Sequence, residues 1–176
     1  VDDGFNSVSG SVQVVVNPLP NVTANATSTA ICEGSQVTLN GGGAMNYVWD
    51  NGVTNGTPFT PLSTTTYTVT GTDANGCSST AQVSVTVNPL PIVTANATMT
   101  TVCLGSAVTL FGTGSATNYV WDNGATDNVP LNISTTTTYT VTGTDANGCT
   151  SIDQITINVN PTYLYTETQT MCNGSG

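Results

Sequence analysis

The strongest constraint on the fold of this chain is an internal repeat. Tyr-Val-Trp-Asp-Asn-Gly occurs at 47–52 and again at 119–124, and Thr-Tyr-Thr-Val-Thr-Gly-Thr-Asp-Ala-Asn-Gly-Cys occurs at 66–77 and at 138–149. Cys103 follows Cys32 by 71 residues and Trp121 follows Trp49 by 72, so one residue is inserted in the second copy. Such a period indicates one supersecondary unit copied along the chain, each copy closing its core in about 70 residues.

The repeat divides the chain into four parts. Residues 19–89 and 90–161 are two complete repeats, and the motif Asn-Pro-Leu-Pro spans the start of each of them, at 17–20 and at 88–91. Residues 1–18 match the end of a repeat, and residues 162–176 match the beginning of one. We therefore expect the last strand of a preceding repeat, two whole repeats and the start of a following repeat, within a longer precursor.

The residues within each repeat predict β-structure. Threonine, which is β-branched and favours strands, is abundant, whereas strong helix formers are scarce. In the first repeat, alternation and turn residues predict strands at 22–26, 36–40, 46–50, 59–62, 65–72 and 81–87. Short loops between so many short strands favour antiparallel pairing. The expected fold is all-β, a linear array of tandem small immunoglobulin-like antiparallel β-sandwiches.

The aromatic residues have two interpretations. Alternation places each tryptophan on the same face of its strand as the apolar side chains, which predicts core positions. The alternative is a sugar-stacking surface formed by Tyr47 with Trp49 and by Tyr119 with Trp121. We favour the core and expect four anchors there: Trp49, Tyr67, Trp121 and Tyr139.

The cysteines predict disulfides within the repeats. A unit of this size buries only about 60 % of its unfolded surface, so a covalent staple is expected. The predicted strands place Cys32 and Cys77 in loops at one end of the sandwich, which favours a Cys32–Cys77 bond and, in the second repeat, Cys103–Cys149. Cys172 is left without a partner in this sequence. Free thiols or a metal site are the alternatives, although no Cys-x-x-Cys pair and no histidine accompany the cysteines.

The charge balance argues against several functions. The chain has ten acidic residues and no Lys, Arg or His, which gives a formal net charge of −10. Without cations it cannot neutralise phosphates, so we expect no nucleic-acid partner and no binding to an anionic membrane surface. No apolar run is long enough to insert into a membrane. Without histidine, the commonest general base is missing, so we expect no enzyme activity and no cofactor.

Calcium is a weak candidate ligand. Asp73, Asn75, Asp145 and Asn147 lie in two copies of Asp-Ala-Asn-Gly and could supply oxygen ligands. Each copy has one carboxylate, which is too few for a self-sufficient calcium loop. A tight turn stabilised by the Asp and Asn side chains is the favoured interpretation.

The motifs together resemble a known group of repeats. Cys-x-Gly-Ser, Tyr-x-Trp, the long Thr-Tyr-Thr-Val segment and Val-x-Val-Asn-Pro-x-Pro are similar to the Ig-like and PKD-like repeats of large Bacteroidota surface proteins, such as gliding-motility adhesins exported by the type IX system. The resemblance covers essentially the whole chain and implies an extracellular stalk or filament at the cell surface, with neighbouring repeats as its main partners. The alternatives are a multivalent module that binds surface polysaccharide and a fibre subunit that joins other copies by strand complementation.

Overall fold

The structure is a computed structural model that describes residues 11–161. The chain forms two compact units, which divide between Val87 and Asn88. All regular elements among the described residues are β-strands. The expectation of an all-β fold built from tandem sandwiches is therefore confirmed.

Seven strands form the first unit. They pair into a three-stranded sheet in the order β1-β3-β5 and a four-stranded sheet in the order β2-β7-β6-β4. Their bounds are β1 Thr23–Ala26, β2 Ala30–Cys32, β3 Val37–Gly42, β4 Asn46–Trp49, β5 Pro58–Phe59, β6 Thr65–Thr72 and β7 Ser78–Asn88.

The second unit repeats this arrangement. Its sheets have the orders β8-β10-β12 and β9-β14-β13-β11. The bounds are β8 Val93–Ala97, β9 Thr101–Cys103, β10 Ala107–Gly114, β11 Asn118–Trp121, β12 Pro130–Asn132, β13 Thr137–Thr144 and β14 Thr150–Asn160. The two units therefore share one topology, as expected for a duplicated sequence.

The core of each unit lies between its two sheets. In the first unit Leu39 of β3, Val69 of β6 and Val85 of β7 are each 0 % exposed. Leu110 and Val141 are equally buried in the second unit. Complete burial of each such side chain contributes about 1.5–3 kcal/mol, so the inward positions of the alternating strands supply most of the stability of each unit.

The sequence did not predict β2 and β9. These three-residue strands are too short for alternation to reveal, and they pair at the far end of the longest strand of each unit. β9 pairs with β14 in parallel, with Thr101 opposite Asn158 and Cys103 opposite Asn160. The expectation that all pairs are antiparallel is therefore wrong at this position, because β9 and β14 are far apart in the chain and need no tight hairpin.

The segment that precedes the first unit forms no regular structure in its described part. Residues 11–22 form no strand, and Val12, Val14 and Val16 are 88, 80 and 87 % exposed. The first ten residues of the partial repeat predicted at 1–18, and the partial repeat predicted at 162–176 with Cys172, lie outside the described residues.

Candidate functional site

The cysteines are not joined within the repeats as the sequence predicted. Cys32 and Cys149 are in disulfides, whereas Cys77 and Cys103 are free thiols. The expected Cys32–Cys77 and Cys103–Cys149 bonds are therefore absent from this structure.

The strand β14 explains why Cys103 and Cys149 do not bond. Cys103 lies beside Asn160 at the last residue of β14, and Cys149 immediately precedes Thr150, the first residue of that strand. At about 3.3 Å per residue, the two ends of β14 are roughly 33 Å apart. A disulfide requires Cα atoms within about 7 Å. Because the prediction overlooked β9, it placed both cysteines at one end of the sandwich.

The first unit has the same arrangement. β2 ends at Cys32 and borders β7. The amide of Thr86, near the last residue of β7, donates to the carbonyl of Thr29 at 2.8 Å. Cys77 immediately precedes β7, so a long strand again separates the two cysteines.

The Asp-Ala-Asn-Gly segments form tight turns that precede β7 and β14. The Asp73 Oδ1 accepts hydrogen bonds from the amides of Asn75 and Cys77, both at 2.9 Å. The Asp145 Oδ1 accepts equivalent bonds from Asn147 and Cys149, both at 2.8 Å. One oxygen of each carboxylate is therefore used to hold its turn and the adjoining cysteine amide.

No calcium cage is visible around these turns. Within residues 11–161, no group of three or more His, Cys, Asp or Glu side chains is placed to hold a metal ion. The hydrogen bonds within the turns agree with the favoured structural interpretation of Asp73, Asn75, Asp145 and Asn147.

The four aromatic anchors are buried. The exposed fractions are 5 % for Trp49, 4 % for Tyr67, 6 % for Trp121 and 5 % for Tyr139. Phe59 packs edge-on against Tyr67 with ring centroids 5.4 Å apart. These rings present no face for a sugar to stack on.

Tyr47 and Tyr119 are only partly buried but are held by the fold. Each ring covers a glycine of the facing sheet, Gly41 for Tyr47 and Gly112 for Tyr119, with no room for a Cβ atom. The Tyr47 hydroxyl donates to the carbonyl of Ala44 at 2.6 Å and accepts from the amide of the same residue at 2.9 Å.

The structure reveals a polar anchor for each tryptophan that the sequence did not predict. The Trp49 Nε1 donates to Asn55 Oδ1 at 3.0 Å, and that oxygen also accepts from the amide of Gly41 at 2.7 Å. In the second unit Asp127 takes this place, accepting from Trp121 Nε1 at 2.9 Å and from the amide of Gly112 at 2.8 Å. The only signal in the sequence is the shared spacing of six residues after each tryptophan.

Asp153 has no counterpart in the first unit. Its Oδ2 accepts a hydrogen bond from the amide of Ala95 in β8 at 2.8 Å. This bond, and a second from the backbone of Gln154, lower the pKa of the Asp153 carboxyl, with a smaller opposing effect of burial. Asp153 opposes Val141 in the sheet, where the first unit has Ala81 opposite Val69.

A shallow open depression of 310 Å³ lies at one edge of the first unit. It is lined by Asn51, Val53, Phe59, Thr60, Pro61, Leu62, Ser63, Thr65 and Tyr67. No acidic side chain or thiol lines it. The paired carboxylates of a glycosidase site are therefore not found in this depression.

Comparisons with known proteins yield distant structural neighbours. No family model matches the sequence, and no curated protein matches it. Murine CEACAM1b is 17 % identical, with a TM-score of 0.36, over 80 % of this chain and 100 % of that one. PcdhgB3 EC1-4 is 13 % identical, with a TM-score of 0.27, over 81 % of this chain and 50 % of that one. Within the described part of the chain, no helix is long and apolar enough to cross a membrane.

Proposed function

We propose that this segment is a structural stalk of an extracellular surface adhesin, which spaces an adhesive or anchoring region from the cell. The observation that carries the proposal is the repetition itself. Both units bury equivalent aromatic anchors in the same topology, and each unit has its own core. A chain of closed cores is suited to spanning distance, because its length grows with each added copy.

The acidic side chains support a structural role. The carboxylates of Asp50 and Asp122 accept bonds from the amides of Thr68 and Thr140, at 3.0 and 2.8 Å. The carboxylates of Asp73, Asp127 and Asp145 also accept hydrogen bonds from backbone amides. These acidic side chains therefore stabilise loops and turns, which is expected of a structural repeat. A surface without cationic side chains also offers no site to trypsin-like proteases and repels acidic neighbours.

The linker and the disulfide support the same proposal. Pro89 and Pro91 fix φ between the last strand of one unit and the first strand of the next, which limits hinge freedom. Disulfides persist in oxidising compartments, so the bonded Cys32 and Cys149 favour an extracellular location. A gliding-motility parent and type IX export are proposed from the sequence resemblance alone.

The growth of length with repeat number tests the stalk. Small-angle scattering would compare chains that contain two, three and four copies of residues 90–161. A stalk predicts that the maximum dimension increases by about 30 Å with each copy, the length of strands of eight to ten residues. A maximum dimension that hardly grows would contradict the proposal, because such repeats would pack into a cluster.

Strand complementation remains a second candidate because of the exposed valines at 12–16. They align with the last strand of the complete repeat, in which Val85, the counterpart of Val14, is 0 % exposed. Such a segment can complete a sandwich in another chain. Light scattering of the chain with and without residues 1–18 tests this function. Oligomers that disappear on deletion would support the fibre, and monomers in both cases would exclude it.

A further inference from the structure

We propose that Asn51 and Asn123 are sites of spontaneous deamidation, at which each unit ages by conversion of an asparagine to aspartate and isoaspartate. Six Asn-Gly pairs lie within residues 11–161, with their asparagines at 40, 51, 55, 75, 123 and 147. Asn-Gly pairs are prone to this reaction because glycine has no side chain to obstruct attack by its backbone nitrogen. The fold then decides which of the six pairs react.

The two proposed sites occupy the same position in tight turns. Asn51 and Gly52 have φ angles of 52° and 72°, and the amide of Val53 donates to the carbonyl of Asp50 at 3.2 Å. These are the features of a type I′ turn with Asn-Gly at its centre. The second unit has the same turn at residues 122–125, with φ angles of 50° and 74° at its central Asn-Gly pair.

This turn leaves the attacking nitrogen of each pair without a hydrogen-bond acceptor. In a β-turn the fourth residue donates the closing hydrogen bond, so the amide of the third residue takes no part in it. Within residues 11–161, the amides of Gly52 and Gly124 donate to no acceptor. Both glycines are exposed, and no residue beyond their chain neighbours comes within 4 Å of the position of a Cβ atom. The nitrogen that must lose its proton and attack is therefore open to water.

The pairs that begin at Asn75 and Asn147 are exposed but protected by a hydrogen bond. In these turns asparagine is the third residue and glycine the fourth. The amide of each glycine donates to the carbonyl of the aspartate that begins its turn, at 3.2 Å in both units. Because these asparagines are exposed like Asn51, solvent access alone does not separate the two groups.

The pairs that begin at Asn40 and Asn55 are protected by the sheet. The amide of Gly56 donates to the carbonyl of Leu39 at 2.9 Å, and the amide of Gly41 donates to Asn55 Oδ1 at 2.7 Å. The side chain of Asn55 is also held by the indole of its unit's tryptophan. In all four protected pairs, the glycine nitrogen must give up a hydrogen bond before it can attack.

The reaction needs only water as a co-reactant. The deprotonated backbone nitrogen of Gly52 attacks Asn51 Cγ, and the new C–N bond closes a succinimide ring. The Cγ–Nδ2 bond breaks, and the side-chain nitrogen leaves as ammonia with the proton that the glycine nitrogen lost. Water then adds to one of the two ring carbonyls and breaks its bond to the ring nitrogen, which yields aspartate or isoaspartate. The same steps convert Asn123.

Each conversion weakens the turn in which it occurs. The Asn51 Nδ2 donates to Asp50 Oδ1 at 3.2 Å, and that oxygen also accepts from the amide of Thr68 at 3.0 Å. Conversion of Asn51 removes this donor and places a second negative charge beside Asp50. In the second unit, Asn123 Nδ2 donates to the carbonyl of Thr138 at 3.1 Å, and conversion removes that bond. The inference concerns each unit by itself and does not depend on the proposed stalk function.

Peptide mapping of the aged chain tests the proposal. The folded protein and a sample unfolded in urea are incubated in mildly alkaline buffer, reduced and cleaved before Asp. The six asparagines then lie in fragments 3–49, 50–72, 73–121, 122–126 and 145–152, and tandem mass spectrometry distinguishes Asn51 from Asn55. In the folded chain Asn51 and Asn123 should deamidate about tenfold faster than the other four, because breaking one backbone hydrogen bond slows the attack by that order. In urea all six should react at similar rates.

Two results would overturn the proposal. One is a folded chain in which Asn75 or Asn147 reacts as fast as Asn51. The other is a folded chain in which Asn51 and Asn123 stay intact while the sample in urea reacts.

The variant Asp73→Ala tests the protection directly. It removes the carboxylate that accepts hydrogen bonds from the amides of Asn75 and Cys77, which loosens this turn. The rate of deamidation at Asn75 should therefore rise towards that of Asn51. Asn147, in the unchanged turn of the second unit, is the matched control, and a slow rate at Asn55 shows that the first unit remains folded. An unchanged rate at Asn75 would show that the hydrogen bonds of the turn do not protect it.

Discussion

Asn55 and Asp127 perform the same task in the two units with different chemistry. Each side chain holds the indole of its unit's tryptophan and the amide of a glycine on the facing sheet through a single Oδ1 atom. The first unit uses a neutral amide and the second a carboxylate. Charge-assisted hydrogen bonds are stronger than neutral ones. Exchanging Asn and Asp at these two positions therefore measures how much the negative charge adds to the hydrogen bonds.

Replacing Asp127 tests this anchor. Asp127→Ala should lower the unfolding free energy of the second unit by about 1–3 kcal/mol, because it leaves the indole and a backbone amide without their acceptor. Asp127→Asn copies the first unit and should cost much less. Urea denaturation followed by fluorescence in a Trp49→Phe background, where Trp121 is the only tryptophan, measures both. Equal losses of unfolding free energy in Asp127→Ala and Asp127→Asn would show that the Oδ1 acceptor, which only Asp127→Asn retains, does not stabilise the unit.

Gly112 should not tolerate a side chain. The ring of Tyr119 occupies the position of its Cβ atom, so Gly112→Ala forces the ring or the sheet to move. Such overpacking costs about 1–3 kcal/mol. When Tyr119→Val has removed the ring, adding Gly112→Ala should cost much less unfolding free energy than it does in the parent chain. Denaturation of the parent, the two single variants and the double variant measures this difference. Additive effects of the two substitutions would contradict the contact.

Asp153 should make the second unit sensitive to acid. Its folded-state pKa lies below the ordinary value of 3.8, so its contribution is present above about pH 4 and is lost as pH falls through the folded pKa. The contribution should stay below about 1 kcal/mol because the carboxyl is partly exposed. Asp153→Asn, which cannot ionise, should weaken the dependence of the unfolding free energy on pH between pH 5 and 2. Denaturation of the second unit, followed by the fluorescence of Trp121, measures this dependence. An unchanged pH dependence would show that other carboxyls account for it.

The Asp turns should stabilise the units without calcium. Asp145→Ala removes the acceptor of two backbone amides and should lower the melting temperature, at a cost of about 1–2 kcal/mol. Adding millimolar Ca²⁺ or EDTA should leave the melting temperature of the parent chain unchanged. A rise with Ca²⁺ that Asp145→Ala and Asp73→Ala abolish would replace the turn interpretation with a calcium site.

Alternation predicted the parts of the fold in which long strands are buried on one face. The eight-residue strand β6 at Thr65–Thr72 has the predicted bounds, and its inward residues Tyr67 and Val69 are buried. Pro58 immediately precedes the strand predicted at 59–62 and Pro61 lies within it, and prolines favour an edge position because they cannot donate a hydrogen bond to a neighbouring strand. The observed strand, β5 at Pro58–Phe59, does lie at the edge of its sheet. Here local sequence and tertiary burial favour the same structure.

The cysteine connectivity could not be predicted in this way. A three-residue strand such as β2 has no period to detect, and its partner β7 is about fifty residues away in the sequence. Because β2 was not predicted, Cys32 was placed at the wrong end of the sandwich. The acceptors Asn55 and Asp127 were missed for a related reason, because a loop residue gains its role only when the sheet brings an indole and an amide to it.

Pulling single molecules from both ends under reducing conditions tests most directly whether the chain is a force-bearing stalk of independently folded repeats. Without disulfides, the account predicts two separate unfolding steps of nearly equal length. Each step should be about 200 Å, the extended length of roughly 66 residues less that of the folded unit. Extension without resisting steps, or one step of twice that length, would contradict the account.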